Sequence, residues 1–365
     1  MVRKSFVIFV FLLASLTGCT SGSNEDIKEG KYGGTLIWGS IGDAKILNPL
    51  LVSDSASGDI VGLIYDSLIE INPNTLEPNP KMAKKWSISE DGLTYTFYLN
   101  EGIKFHDGEI LTSEDVKFTF DTYKNPNTNA PNQADVQNLA AVEIIDDYTV
   151  QFNLNKPDCS FLLTAGLGII PSHLYKDEDI NTASINLSPI GSGPFKFKEW
   201  FPDDRVVVEA FDDYYRGRPY LDRIIYKVVP DNTVLTEQLF IGEVDVTGIE
   251  FDQVERFKAT SAVEVYEYDV LSYGYLGYNL KNEFFKELNV RKAISHAIDK
   301  EVIVDEVFLG FGEVANVPMP PTSWAYNPNI ETPIYNIELA KKILKDTGFE
   351  DIDGNGIIDK NGKEF

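Results

Sequence analysis

Two cysteines in 365 residues leave no disulfide framework to hold this chain, so its fold must rest on a buried apolar core. At 43% hydrophobic residues the material is present, and the length suits two or three domains. The first cysteine closes the run Leu16-Thr17-Gly18-Cys19, behind a basic start (Arg3, Lys4) and an apolar stretch from Phe6 to Leu16. A charged start, a short apolar run and small residues before a cut describe an export signal. The stretch is short of the ~20 residues that span a bilayer. An uncleaved anchor or an unrelated buried start is the competing reading. The second cysteine, Cys159, has no nearby base to activate it and reads as a small buried apolar residue.

A cysteine directly after the cut resembles the lipobox of bacterial lipoproteins. The resemblance implies a signal over 1–18, lipidation of Cys19, and a flexible leash over 19–32 that includes Thr20-Ser21-Gly22-Ser23-Asn24. Acyl chains contribute about 0.8 kcal/mol per buried methylene, enough when multiple to hold a protein on the outer face of the cell membrane, at the cell surface or in the periplasm. No later segment has the length and apolarity of a spanning helix. The formal charge of -25 argues against a nucleic-acid partner, which needs Lys and Arg to neutralise phosphates. That charge favours solubility and says little about the sign of any local site.

Local patterning gives mixed strands and helices. Leu93, Tyr95, Phe97 and Leu99 alternate, as do Tyr148, Val150, Phe152 and Leu154, each run behind a turn signal. Thr112-Ser113-Glu114-Asp115 has the form that starts a helix, Val116, Phe120 and Tyr123 share its apolar face, and Asn125-Pro126 stops it. A second helical block is expected from an N-cap at Asn289, with Val290, Ile294, Ala297 and Ile298 as its stripe. Asp299 is expected to cap a further helix carrying Val302 and Val307 and ending near Gly310. A last helix is expected from Ile337 to Lys345, before a turn-rich stretch of the kind that leads into another strand. The class is α/β with more than one sheet.

Several segments in order resemble the extracytoplasmic solute-binding proteins of ABC importers, family 5, which includes oligopeptide- and dipeptide-binding proteins. They are Gly33-Gly34-Thr35-Leu36, Leu47-Asn48-Pro49-Leu50, the run Trp86 to Phe97, Lys104-Phe105-His106-Asp107-Gly108 and Leu111 to Val116. Later come Gly191-Ser192-Gly193-Pro194-Phe195, Tyr220-Leu221-Asp222, Gly242-Glu243-Val244-Asp245 and Val290 to Asp299. The resemblance implies a three-domain, periplasmic-binding-protein-like fold (type II, cluster C-like), C-terminally incomplete here. Domain I would comprise 33–61 and 185–269, domain II the insertion 62–184, and domain III the partial stretch 270–365. Domains I and III would close over ligand like jaws.

Ligand contacts are expected from Trp38, Gly39, Ser40 and Asp43 at the end of the first strand, from Ser192, and from Tyr273 and Tyr275. The two tyrosines would share one strand face and Tyr278 the other, with plain core packing as the competing reading. The glycines around Ser192 would permit a tight backbone path, whereas a phosphate loop is disfavoured by Pro194 and the missing Lys-Ser/Thr. His106-Asp107 reads as a turn rather than a metal pair. His173 has no evident partner, and His296 falls on a helix. Asp351, Asp353, Asn355 and Asp359 match the first positions of a calcium loop, but Gly362 stands where a bidentate glutamate belongs, so a turn is preferred.

No nucleophile, base and orienter pattern appears, which argues against a hydrolase. The expected role is non-enzymatic and without cofactor: a monomeric lipoprotein that binds short peptides and serves ABC permease subunits. Alternatives are nickel, haem, opine or oligosaccharide cargo on the same fold, or a peptide-sensing surface lipoprotein.

Overall fold

The alternating apolar runs become two central strands of a four-stranded antiparallel sheet. Its order is Ala83–Ile88, Thr94–Leu99, Thr149–Leu154, Leu139–Asp146. This computed structural model describes residues 30–73, 76–268, 270, 272–319, 321, 323, 326–360 and 363–364, and the backbone of 7–12. Cys19 and most of the expected signal and leash lie outside the described residues.

One face of that sheet is core. Tyr95, Phe97 and Leu99 are buried opposite Val150, Phe152 and Leu154. The first hairpin turns at Gly92, whose φ of +68° few side chains tolerate, while Asp91 accepts from Leu93 N at 3.1 Å. Helix Ser113–Lys124 covers the buried face. Its start is a capping box: Thr112 accepts from Glu114 N, and Asp115 Oδ2 accepts from Thr112 N at 2.9 Å. Val116, Phe120 and Tyr123 point inward, and Phe120 meets Phe152 edge-on at 4.8 Å. Asn125 leaves the helical region before Pro126, as a residue preceding proline must.

The larger sheet has seven strands, in the order Val263–Tyr268, Val7–Leu12, Val246–Gly248, Thr35–Ser40, Arg223–Val228, Arg205–Ala210, Phe195–Phe201. Thr35–Ser40 runs parallel to Arg223–Val228, and the following two pairings are antiparallel. Its register joins segments far apart in sequence. Gly33 N donates to Tyr220 O at 2.8 Å, Asp222 N to Gly34 O at 3.0 Å, and Ile37 N to Asp245 Oδ2 at 2.7 Å. Val7–Leu12, part of the apolar run read as an export signal, pairs antiparallel with Val246–Gly248. Such a β-branched apolar stretch readily satisfies an open strand edge, and cleavage after residue 18 would remove it.

Compact packing divides the chain into a larger unit, 9–249 with 257–265, and a smaller one containing 250–256 and 266–365. Within the larger unit, Asn48, Tyr175 and Asn186 form a buried polar knot. Asn48 Nδ2 donates to Asn186 Oδ1 at 2.8 Å, and Tyr175 OH to the same oxygen at 3.1 Å. Cys159 is exposed rather than buried, because it sits in the turn before Phe161, and Phe161 takes the core position.

In the smaller unit, helices Leu288–Ala297 and Ile337–Asp346 pack together. The first is capped at Glu287, so Asn289 lies inside it. Its buried residues are Val290 and Ala293, and Ala297 is exposed. Asp299 does cap the next segment, accepting from Val302 N at 3.2 Å. That helix spans only Lys300–Val302 before widening into a π-helical turn over Ile303–Val307, and Val302 and Val307 face solvent. Asn336 caps the last helix through Leu339 N at 2.9 Å. Residues 272–279 form no strand, so the expected opposition of Tyr278 to Tyr273 and Tyr275 does not arise.

Candidate functional site

At the end of strand Thr35–Ser40 the side chains are engaged with their own chain. Gly39 is buried, and a Cβ there would lie 2.5 Å from Leu235 Cδ1 and 2.9 Å from Val244 Cγ1. Its lack of a side chain seats the helix Asn232–Phe240. Ser40 Oγ donates to Gly42 O at 2.9 Å and lies 2.9 Å from the Tyr226 hydroxyl. Tyr226 also reaches Asp59 at 3.2 Å. Burial raises the Asp59 carboxyl above its ordinary range, and the Tyr226 hydrogen bond offsets part of that rise. Asp43 accepts from Asp203 N at 2.8 Å and from Trp200 Nε1 at 3.2 Å, tying down the 201–205 turn. Trp38 is half-buried beside Tyr226, with ring centroids 5.5 Å apart.

Ser192 is wholly buried, and its hydroxyl has no hydrogen-bond partner among the described residues. Its flanking glycines answer to packing. A Cβ on Gly191 would fall 2.1 Å from Ile64 O, and one on Gly193 2.7 Å from Ile64 C. His106 clamps the same loop: Gly191 N donates to its Nδ1 at 3.2 Å, so Nε2 carries the proton and donates to Gly193 O at 3.0 Å. Burial pushes His106 down to about 4, opposed by the bond to Gly193, so the ring is neutral at pH 7. Asp107-Gly108 makes the expected turn, with Gly108 at φ +98°. His173 does have a partner: its Nε2 lies 2.8 Å from Asp107 Oδ2. The spacing of 66 residues hid that pair, and no local signal could have found it.

Tyr273 and Tyr275 lie in the smaller unit, their rings 5.8 Å apart, and both line a cavity of about 880 Å³ wholly within it. Tyr278 lines the same cavity. Sequence reading missed other rings of the wall, among them Phe251, Phe308 and Phe311, since rings from separate segments leave no shared motif. Volumes of roughly 300–1,000 Å³ with mostly apolar walls are typical of small-ligand sites.

The acidic stretch 351–359 is a turn whose carboxylates hold backbone amides. Asp351 accepts from Gly354 N at 2.7 Å and Gly356 N at 2.9 Å, Asp353 from Asn355 N at 3.2 Å, and Asp359 from Ile352 N at 3.3 Å. Asn355 Oδ1 accepts from Ile357 N at 2.7 Å. Among the described residues no group of three or more His, Cys, Asp or Glu is placed to hold a metal.

Residues 77–364 match the model of the middle region of bacterial extracellular solute-binding proteins, family 5. The chain is 38% identical to the oligopeptide-binding protein AppA of Bacillus subtilis over 380 residues, spanning all of this chain and 69% of that protein. It is 32% identical to the dipeptide-binding protein of Escherichia coli, over 87% of this chain and 64% of the relative. Among solved structures, B. subtilis AppA in complex with a nonapeptide superposes at TM-score 0.83 and 36% identity, over 92% of this chain and 68% of the other. Campylobacter jejuni NikZ in complex with Ni(L-His) gives 0.79 and 31%, over 90% and 66%. The chain thus spans about two thirds of the length of these relatives, and it carries their mixed α/β periplasmic-binding-protein fold. On the match over 77–364, it belongs to the bacterial extracellular solute-binding proteins of family 5.

Proposed function

We propose that this protein captures short peptides outside the cytoplasm and delivers them to the permease of an ABC importer, without catalysing a reaction. The observation that carries the reading is the aromatic-walled cavity holding Tyr273 and Tyr275, in a chain whose similar relatives are named for oligopeptide and dipeptide binding. Tyrosine and phenylalanine faces bury varied side chains while the tyrosine hydroxyls stay available for polar contact. In the larger unit, Trp38 is the proposed ligand contact. Gly39, Ser40, Asp43 and Ser192 are proposed contacts too, with Ser40 and Asp43 also holding the strand end and the 201–205 turn.

Three domains in the arrangement 33–61 with 185–269, 62–184, and 270–365 would allow hinge closure. Ligand contacts made only in the closed state would shift the population toward it, and the permease would recognise that state. Export with lipidation at Cys19 would keep the monomeric protein at the outer face of the cell membrane, beside the permease. The test is to denature the purified protein and identify the released small molecule by mass spectrometry. A ladder of short peptides supports the reading. A released nickel chelate of the kind bound by NikZ would overturn the peptide assignment and leave the family intact.

A further inference from the structure

The cavity in the smaller unit is built from rings that are only partly covered. Phe251 lies flat on Phe311 with centroids 5.3 Å apart and planes within 9°, and Phe308 meets Phe251 edge-on at 6.0 Å. Phe308 is 41% exposed and Tyr275 80%. A single exposed ring is ordinary, but several lining one cavity are apolar surface that a ligand can take from water. The charged side chains in the lining, Lys300 and Glu313, are opposite in sign, so the lining carries no net formal charge. Met319 adds an adaptable wall.

Beside the rings runs main chain that can pair. The backbone groups of residues 274–277, which line or flank this cavity, make no hydrogen bond with another described residue. Amides and carbonyls that no other described residue takes up, next to an apolar pocket, match the chemistry of an extended peptide. Its backbone takes the hydrogen bonds and one side chain fills the pocket.

We propose that this cavity selects, among short peptides, those placing a bulky aromatic or aliphatic side chain against Phe251, Phe308 and Phe311. The inference rests on the peptide-binding reading above and adds the side-chain class. A large apolar side chain leaves water on binding, whereas glycine buries nothing there and aspartate or lysine gives up hydration to sit against the rings.

The test is calorimetry on the full chain with pentapeptides of alanine carrying one guest residue (Phe, Leu, Gly, Asp or Lys) moved through each position. Phe or Leu at one position should bind roughly 10- to 100-fold tighter than Gly there. In Phe311→Ala that preference should collapse, bringing the Phe and Leu peptides close to the affinity of the Gly peptide in the same variant. Phe311→Leu, which keeps an apolar side chain if the alanine variant folds badly, should retain the Leu preference and lose most of the Phe advantage. Guest-independent affinity in wild type, or selection that persists in both variants, overturns the inference while leaving peptide binding in place. Failure of every peptide to bind overturns the peptide reading itself and this inference with it.

Discussion

His106 donates to the Gly193 carbonyl at 3.0 Å across 87 residues of sequence, and its other ring nitrogen accepts from Gly191. One neutral imidazole therefore holds both glycines of the loop against residues 63–64. A protonated ring could not accept from Gly191, so the clamp is a pH-dependent part of the fold.

The sign follows from the depressed titration of His106. Its folded value of about 4 lies below the ordinary 6.5, so the unfolded chain binds the extra proton first. The clamp's contribution is full above pH 6.5 and is lost as pH falls from there toward 4. A drop of that size corresponds to roughly 3 kcal/mol. Urea unfolding at pH 7 and pH 4.5 should show wild type losing about 2–3 kcal/mol more than His106→Gln across the interval. Equal losses in the two proteins would mean that the ring does not titrate as its burial requires.

The glycines themselves are sterically fixed. Gly191→Ala would drive a methyl group to 2.1 Å from Ile64 O, a backbone atom that cannot swing aside. A cost above ~3 kcal/mol is expected, comparable to severe overpacking. Gly62, inside helix Ser55–Ile64, has nothing within 4 Å of its would-be Cβ. Gly62→Ala should stabilise by ~0.5–1 kcal/mol. Thermal melts of the two variants should move in opposite directions.

Asp66 is fully buried, with Lys81 Nζ at 2.7 Å and the Tyr214 hydroxyl at 2.9 Å. Burial first, and then the Asp66 charge, raise the Tyr214 hydroxyl well above the ordinary phenol range, so it stays a donor. Lys81→Met strands a buried carboxylate and should cost ~3–5 kcal/mol. Adding Asp66→Asn to Lys81→Met should recover part of that loss. A double variant no more stable than Lys81→Met would show that the pairing is not the reason for the cost.

What the sequence disclosed and what it hid divide along range. Strand Thr94–Leu99 and helix Ser113–Lys124 were legible because each has one buried face, so a period of two or of 3.6 is written into neighbouring residues. The Thr112–Asp115 capping box is likewise local. The clamp of His106 on Gly191 and Gly193, the Asp107–His173 pair and the stacking of Phe251 on Phe311 are tertiary meetings that no local pattern encodes. Of the expected ligand residues, Tyr273 and Tyr275 were found on a cavity. Ser40, Asp43 and Ser192 have polar atoms bound to their own chain or buried within it. A polar residue at a strand end looks alike in sequence whether it serves a ligand or a turn. Cys159 was expected to be buried because cysteine is a common core residue, but its turn puts it in water.

Tyr275 is 80% exposed and supports little else in the fold. Tyr275→Ala should leave the unfolding free energy within ~0.5 kcal/mol of wild type. The same change should weaken peptide binding by about tenfold, the loss of one aromatic contact at a ligand surface. Unchanged affinity would remove Tyr275 from the site.

Peptide capture can be read from isothermal titration of the purified, ligand-stripped chain. Titrants would be a mixture of short peptides, the same amino acids unlinked, and Ni(L-His). Peptides should bind saturably, and the other two should not bind. Saturation by the nickel complex, with peptides silent, would contradict peptide capture.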